Sequence, residues 1–91
     1  MGKSIDYMME MVEDYLEGNK DRMDFELDFQ YEIIEKYRKM AKEDREFAEY
    51  FYDMLVEEGV DAGKELTDEK FFKLIRKNFS QLKGFYSVDI L

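Results

Sequence analysis

Apolar residues recur every three or four positions along most of this chain, which is the spacing of one face of an α-helix. Four such stretches stand out, separated by glycines or by residues that cap helices. The first is predicted over residues 4–17, where Ile5, Met8, Met9, Val12, Tyr15 and Leu16 share a stripe. Ser4 is its expected N-cap, and Asp6 falls in the first turn, where the helix dipole favours an anion. Gly18 is the expected stop, because glycine enters the left-handed backbone region without steric cost. The second helix is predicted over residues 22–41, capped by Asp21. Phe25, Phe29, Ile33, Tyr37 and Met40 form its main stripe. Leu27, Tyr31 and Ile34 widen that stripe, so burial on more than one side is expected.

The third helix is predicted over residues 44–58, with Phe47, Ala48, Phe51, Met54 and Leu55 inward and Gly59 ending it. A loop follows over residues 60–66, with Gly63 at its middle. Thr67 is expected to cap a fourth helix over residues 68–83, with Phe71, Leu74, Ile75, Phe79 and Leu82 inward and Gly84 as its stop. The tail, residues 84–91, is apolar enough to pack back or to lie extended. Four amphipathic helices and short connections predict an all-α, antiparallel four-helix bundle, with residues 1–91 as a single domain.

Composition supports a folded chain. Seven Tyr and eight Phe are too many for a disordered acidic segment, and the absence of proline suits long helices. Seven Met point to an adaptable core. There is no Cys, so neither disulfides nor thiolate zinc sites are available, and a reducing compartment, the cytoplasm, is expected. Lys3, Asp6, Glu10, Glu13 and Asp14 interrupt residues 1–16, so no apolar leader is expected there, and no run is long enough to span a membrane.

Charge narrows the partners. Asp and Glu number 23 against 14 Lys and Arg, for a net charge of −9. The charge is blocky: residues 1–35 carry 11 acids and 3 bases, and residues 46–69 carry 9 acids and 1 base. Such a surface repels nucleic acid and anionic membranes, and it steers basic proteins. The basic run Lys36, Arg38, Lys39 and Lys42 reads as the cationic end of the second helix, complementing its dipole.

Candidate chemistry is thin. There is no His, and the hydroxyls are Ser4, Thr67, Ser80 and Ser87, so no nucleophile has a conventional base. Di-iron bundles need Glu-x-x-His pairs, and calcium loops need an alternating carboxylate spacing that neither residues 21–28 nor 61–65 match. A carboxylate pair of the glycosidase kind needs a concave sugar site, which a small bundle seldom offers. No catalytic residue, no metal and no cofactor is expected. One segment stands apart: residues 57–69 hold Glu57, Glu58, Asp61, Glu65, Asp68 and Glu69 around a helix end, a loop and a helix start. Asp68 and Glu69 suit a first helical turn. Glu57 and Glu58 sit at a helix C-terminus, where anions are mildly unfavourable, and a locally disfavoured charge is a candidate for a role elsewhere. Tyr52 and Phe72 project partly off the core stripes and are candidate surface aromatics.

The order of these features resembles the immunity proteins of the colicin D type, including those paired with contact-dependent inhibition toxins. A first helix ends in Tyr15, Leu16, Glu17 and Gly18. After a polar turn, Asp24, Phe25, Glu26, Leu27, Asp28 and Phe29 open a long second helix. An acidic loop then precedes a last helix beginning Leu66, Thr67, Asp68, Glu69, Lys70 and Phe71. The likeness spans about residues 5–83. It implies a cytoplasmic helical bundle, monomeric and bound 1:1 to the basic catalytic domain of a nuclease toxin, typically a tRNA-cleaving one, with acidic side chains standing in for RNA phosphates. The matching positions are Glu57, Glu58, Asp61, Glu65, Asp68 and Glu69, and Lys64 interrupts the negative charge. Tight inhibition also needs a desolvated anchor, and Tyr52, near the acidic loop, is the candidate for it. Two further readings fit the residues: an acidic adaptor or secretion chaperone that holds a client along an apolar groove, and a bundle subunit of a larger assembly.

Overall fold

A computed structural model describes residues 2–90, with side chains over residues 2–84. The chain is all-α, as expected of the four-helix class, with no strand among the described residues. Its helices are α1 (Lys3–Leu16), α2 (Arg22–Glu43), α3 (Arg45–Phe51), a π-helix (Tyr52–Asp61) that continues α3 without a break, and α4 (Asp68–Ile90). The chain forms two compact units, Met1–Glu49 and Tyr50–Leu91.

In the first unit α1 and α2 pack antiparallel. The pairing can be followed along their length: Tyr15 stacks on Phe25 with ring centroids 4.5 Å apart, Lys36 lies 4.7 Å from the Tyr7 ring centroid, and Glu43 reaches the backbone of Ser4 and Ile5. Ile5, Met8, Val12, Phe25 and Phe29 are fully buried, and each stabilises the fold by roughly 1.5–3 kcal/mol relative to an exposed side chain. The turn between the helices is the expected one. Gly18 has φ +86°, its N–H donates to the Tyr15 carbonyl, and the Asn19 N–H donates to the Asp14 carbonyl. This pair of bonds is a Schellman motif, which satisfies two of the carbonyls that a helix end leaves open. Asp21 caps α2, accepting from the Asp24 N–H at 2.9 Å.

The cap of α1 differs from expectation. Gly2, not Ser4, is the N-cap residue, and its position makes no side-chain cap bond. Ser4 lies inside the helix, buried. The open N–H groups of Ser4 and Ile5 donate instead to the carboxylate of Glu43, at 2.8 and 2.9 Å. That explains why α2 continues to Glu43 rather than stopping at residue 41: its last residue serves the first turn of its neighbour. The expected second buried side of α2 is also absent. Leu27, Tyr31 and Ile34 are 64%, 64% and 79% exposed.

In the second unit the π-helix and α4 pack antiparallel, with Asn78 against Met54 and Glu58, Ile75 near Gly59, and Phe71 and Leu74 near Gly63. Gly59 does not end the third helix. The backbone bonds i to i+5 and runs on to Asp61, closing with the Ala62 N–H on the Glu57 carbonyl. The buried residues fit that wider turn: Met54 and Gly59, and Leu55 and Val60, are each five apart. Its cause is visible in α4. Asn78 is 5% exposed and places its amide nitrogen 2.8 Å from the Met54 carbonyl and 3.1 Å from the Glu58 carbonyl. A side-chain donor inserted against helix carbonyls is one of the recognised causes of a locally altered helix. Gly59 and Gly63 permit the close approach. A Cβ on Gly63 would stand 2.9 Å from Phe71 Cδ1 and 3.0 Å from the Gly59 carbonyl oxygen. Thr67 caps α4 as expected, accepting from the Lys70 N–H at 3.3 Å. Gly84 does not stop it, since the helical backbone continues to Ile90. Of the expected tail, residues 84–90 are therefore helical in backbone, and Leu91 lies outside the described residues.

Candidate protein-binding surface

The seven residues singled out in the sequence all fall in the second unit. Tyr52, in the first turn of the π-helix, is half-buried. Glu57, Glu58 and Asp61, in its last turn, are all exposed, although Asp61 was expected in a loop. Glu65 is exposed in the short turn between helices. That turn is held by the Gly63 N–H on the Gly59 carbonyl at 2.8 Å and the Leu66 N–H on the Gly63 carbonyl at 3.0 Å. Asp68 and Glu69 are exposed in the first turn of α4, where the helix dipole accounts for them. Glu69 pairs with Lys73 at 3.2 Å, one turn on, with both side chains mostly exposed. A solvated pair of that kind contributes at most about 1 kcal/mol and leaves the carboxylate accessible.

The helix geometry brings together a subset of these acids. In a helix bonded i to i+5, a residue four positions on lies just short of one turn ahead. Asp53, Glu57 and Asp61 therefore rise along one side of the π-helix, with Glu58 beside them, and all four are exposed. Asp53 was missed in the sequence, although the four-residue spacing is visible there. No basic residue stands in the last turn of this helix, where a cation would suit the negative helix end. The backbone under these carboxylates is held from within, because Asn78 binds the carbonyl of Glu58 itself. The surface is thus a set of fixed, solvated anions on a braced helix end. Among the described residues, no group of three or more His, Cys, Asp or Glu side chains is arranged to hold a metal ion. The acids are spread as a surface and do not converge as a ligand set.

In the first unit, a shallow depression of about 200 Å³ is lined by Tyr7, Glu10, Met11, Asp14 and Lys20. Lys20 donates to Asp28 at 2.6 Å. That hydrogen bond raises the Lys20 ammonium above its ordinary range, against a smaller opposing effect of burial, and the charges of Asp28 and Asp14 help. A lysine held in its charged form by carboxylates is a structural tie across the turn, not a base. Glu43 is shifted the other way. Partial desolvation works against its charge, but the N–H groups of Ile5 and Ser4 outweigh this and hold the carboxyl below the usual carboxylate range.

Among the described residues, no helix is long and apolar enough to cross a membrane. No protein-family model matches this chain, and no curated protein and no solved structure is detectably similar to it.

Proposed function

We propose that this chain is an acidic protein-binding domain that occupies the basic cleft of a partner, in the manner of a cytoplasmic immunity protein that blocks a nuclease toxin, of the tRNA-cleaving kind. The observation that carries this reading is the exposed row Asp53, Glu57, Glu58 and Asp61 along the π-helix, whose last turn holds no basic residue. A nuclease must present Lys and Arg to bind phosphates, and a braced row of carboxylates presents the same charge to that cleft. Charge pairs of this type accelerate association and set specificity more than they add raw affinity. Tyr52, half-buried at the other end of the same helix, supplies the amphipathic ring that interface anchors often use. Each copy of the chain engages one partner molecule, and neither metal nor cofactor takes part.

The test is capture of partners on the tagged chain at moderate salt, alongside the triple variant Glu57→Lys, Glu58→Lys, Asp61→Lys. A single basic protein retained by the parent, released at high salt and lost by the variant is the expected result. Equal retention by parent and variant removes the acidic row from the mechanism.

A second reading is favoured by one observation. Met23, Leu27, Tyr31 and Ile34 are exposed on α2, as an adaptor or chaperone that holds a client along an apolar surface requires. That reading expects many weak clients whose binding resists salt.

A further inference from the structure

The helix that carries the acidic row is out of phase with its own beginning. Phe47, Ala48 and Phe51 are buried on α3. Continued at about 100° per residue, their stripe would next take Met54, Leu55 and Glu58, which stand three, four and seven positions after Phe51. Val60, nine positions on, would lie on the opposite side, in solvent. The structure shows the reverse: Glu58 is exposed, and Val60 is 1% exposed. The i to i+5 backbone makes the difference. It turns each residue through a smaller angle, and so brings Gly59 and Val60, rather than Glu58, onto the face of Met54 and Leu55. An α-helix through the same residues would bury a carboxylate and expose a valine.

The wider turn leaves one carbonyl over. The Ala62 N–H donates to the Glu57 carbonyl, five back, and the Gly63 N–H donates to the Gly59 carbonyl, four back. The Glu58 carbonyl between them is passed over by both. In an α-helix it would accept from the Ala62 N–H. Here it accepts from the amide of Asn78 at 3.1 Å, and the same nitrogen reaches the Met54 carbonyl at 2.8 Å. Asn78 thus supplies the donor that only the wide register lacks, and a buried acceptor without a donor is costly. Two features therefore select the register. The Asn78 amide stabilises the wide one, and the charge of Glu58 disfavours the α-helical one.

We propose that Asn78 is a positioning residue for the acidic surface: through the Met54 and Glu58 carbonyls it holds the helical register that turns Glu58 outward beside Asp53, Glu57 and Asp61. That Glu58 meets a partner rests on the reading of the row as a binding surface; that it points outward because of Asn78 does not.

The experiment compares two single cysteines, free of background because the chain has no Cys. Leu55→Cys lies inward in either register, and Val60→Cys lies inward only in the wide one. Each is placed in the parent, in Glu58→Leu, and in Asn78→Leu combined with Glu58→Leu, and is labelled with a thiol reagent in the folded state. The combined variant has neither the amide that holds the wide register nor the charge that disfavours the other. Val60→Cys therefore labels about tenfold faster or more in it, while Leu55→Cys keeps the rate it has in the parent; a general loosening would raise both. Glu58→Leu alone leaves both rates unchanged, because Asn78 still holds the helix. Thermal melts give an independent sign. Asn78→Leu lowers the melting temperature, and adding Glu58→Leu to it recovers part of the loss, whereas Glu58→Leu alone shifts it little. Equal acceleration of the two cysteines in the combined variant, a Val60→Cys rate that stays at the parent level there, or melting shifts that simply add overturns the proposal. A partner captured equally by the parent and by the triple lysine variant overturns the acidic-row reading alone, since the labelling involves no partner.

Discussion

Asn78 is the polar residue on which the geometry of the second unit turns, and Asn78→Leu is the substitution that isolates it. Leucine has the same number of side-chain heavy atoms, branched at the same carbon, and suits a helix better than asparagine. The change therefore removes the amide without opening a cavity or weakening α4. What is lost is the pair of bonds to the Met54 and Glu58 carbonyls, at 2.8 and 3.1 Å. Each neutral bond contributes about 0.5–1.5 kcal/mol net, and a buried acceptor left without its donor adds a desolvation cost of about 1–3 kcal/mol. The Met54 bond is buried and the Glu58 bond partly so, which places the expected loss at about 2–3 kcal/mol. A chain of 91 residues has a total stability of roughly 5–14 kcal/mol, so the effect is a large fraction of it.

The measurement is urea unfolding of parent and variant by circular dichroism, with thermal melts beside it. A loss of 2–3 kcal/mol lowers the melting temperature by about 8–24 °C in a domain this small. Hydrogen exchange supplies the local readout: amides of the π-helix exchange faster in Asn78→Leu, while those of α1 keep their protection. Asn78→Asp serves as a control. Its carboxylate faces two carbonyl oxygens, so burial and the lack of a donor raise its folded pKa, and the variant regains stability as pH falls and the group protonates. Unfolding of Asn78→Leu within about 0.5 kcal/mol of the parent, the range of an ordinary surface change, would refute the claim that this amide holds the widened helix.

Two further outcomes follow from the same structure. Gly63→Ala destabilises by about 1–3 kcal/mol, since its Cβ would overlap the Phe71 ring and the Gly59 carbonyl, whereas Gly84→Ala, with nothing within 4 Å, stabilises α4 by about 0.5–1 kcal/mol; paired thermal melts read both signs. Glu43 has a folded pKa below its unfolded one, so its contribution is present above the unfolded pKa and is lost as pH falls through the folded one. Glu43→Gln therefore costs stability at neutral pH and flattens the acid limb of the pH–stability curve, measurable by urea unfolding across that range.

The fold was legible where local physics decides it. The starts of α2 and α4, the stop at Gly18 and the caps at Asp21 and Thr67 rest on residues within a few positions of one another, and these appear as expected. The misses are contacts over long separations. Nothing near Ser4 in sequence announces that Glu43, 39 residues away, will bind its N–H. Nothing near Gly59 announces that Asn78 will prop the helix open and carry it to Asp61. A glycine that ends a helix and a glycine that admits a neighbouring side chain look alike until the neighbour is placed. The acidic segment was legible as a segment. Its side-by-side arrangement, with Asp53 included, needed the helix to run on through Asp61.

The second stripe of α2 is a different kind of miss. Periodicity identifies a face that avoids water, but it does not say whose surface covers it. Phe25, Phe29 and Ile33 are covered within the chain; Leu27, Tyr31 and Ile34, with the same period on the same helix, are not. Reading both as buried was correct for the first stripe and wrong for the second. The separation of charge along the helix bears on the same point. Acids early and bases late suit the helix's own dipole, and that alone explains them for an isolated helix. The order does not say what meets the stripe, because Glu35 is exposed among the bases and Asp28 is already tied to Lys20.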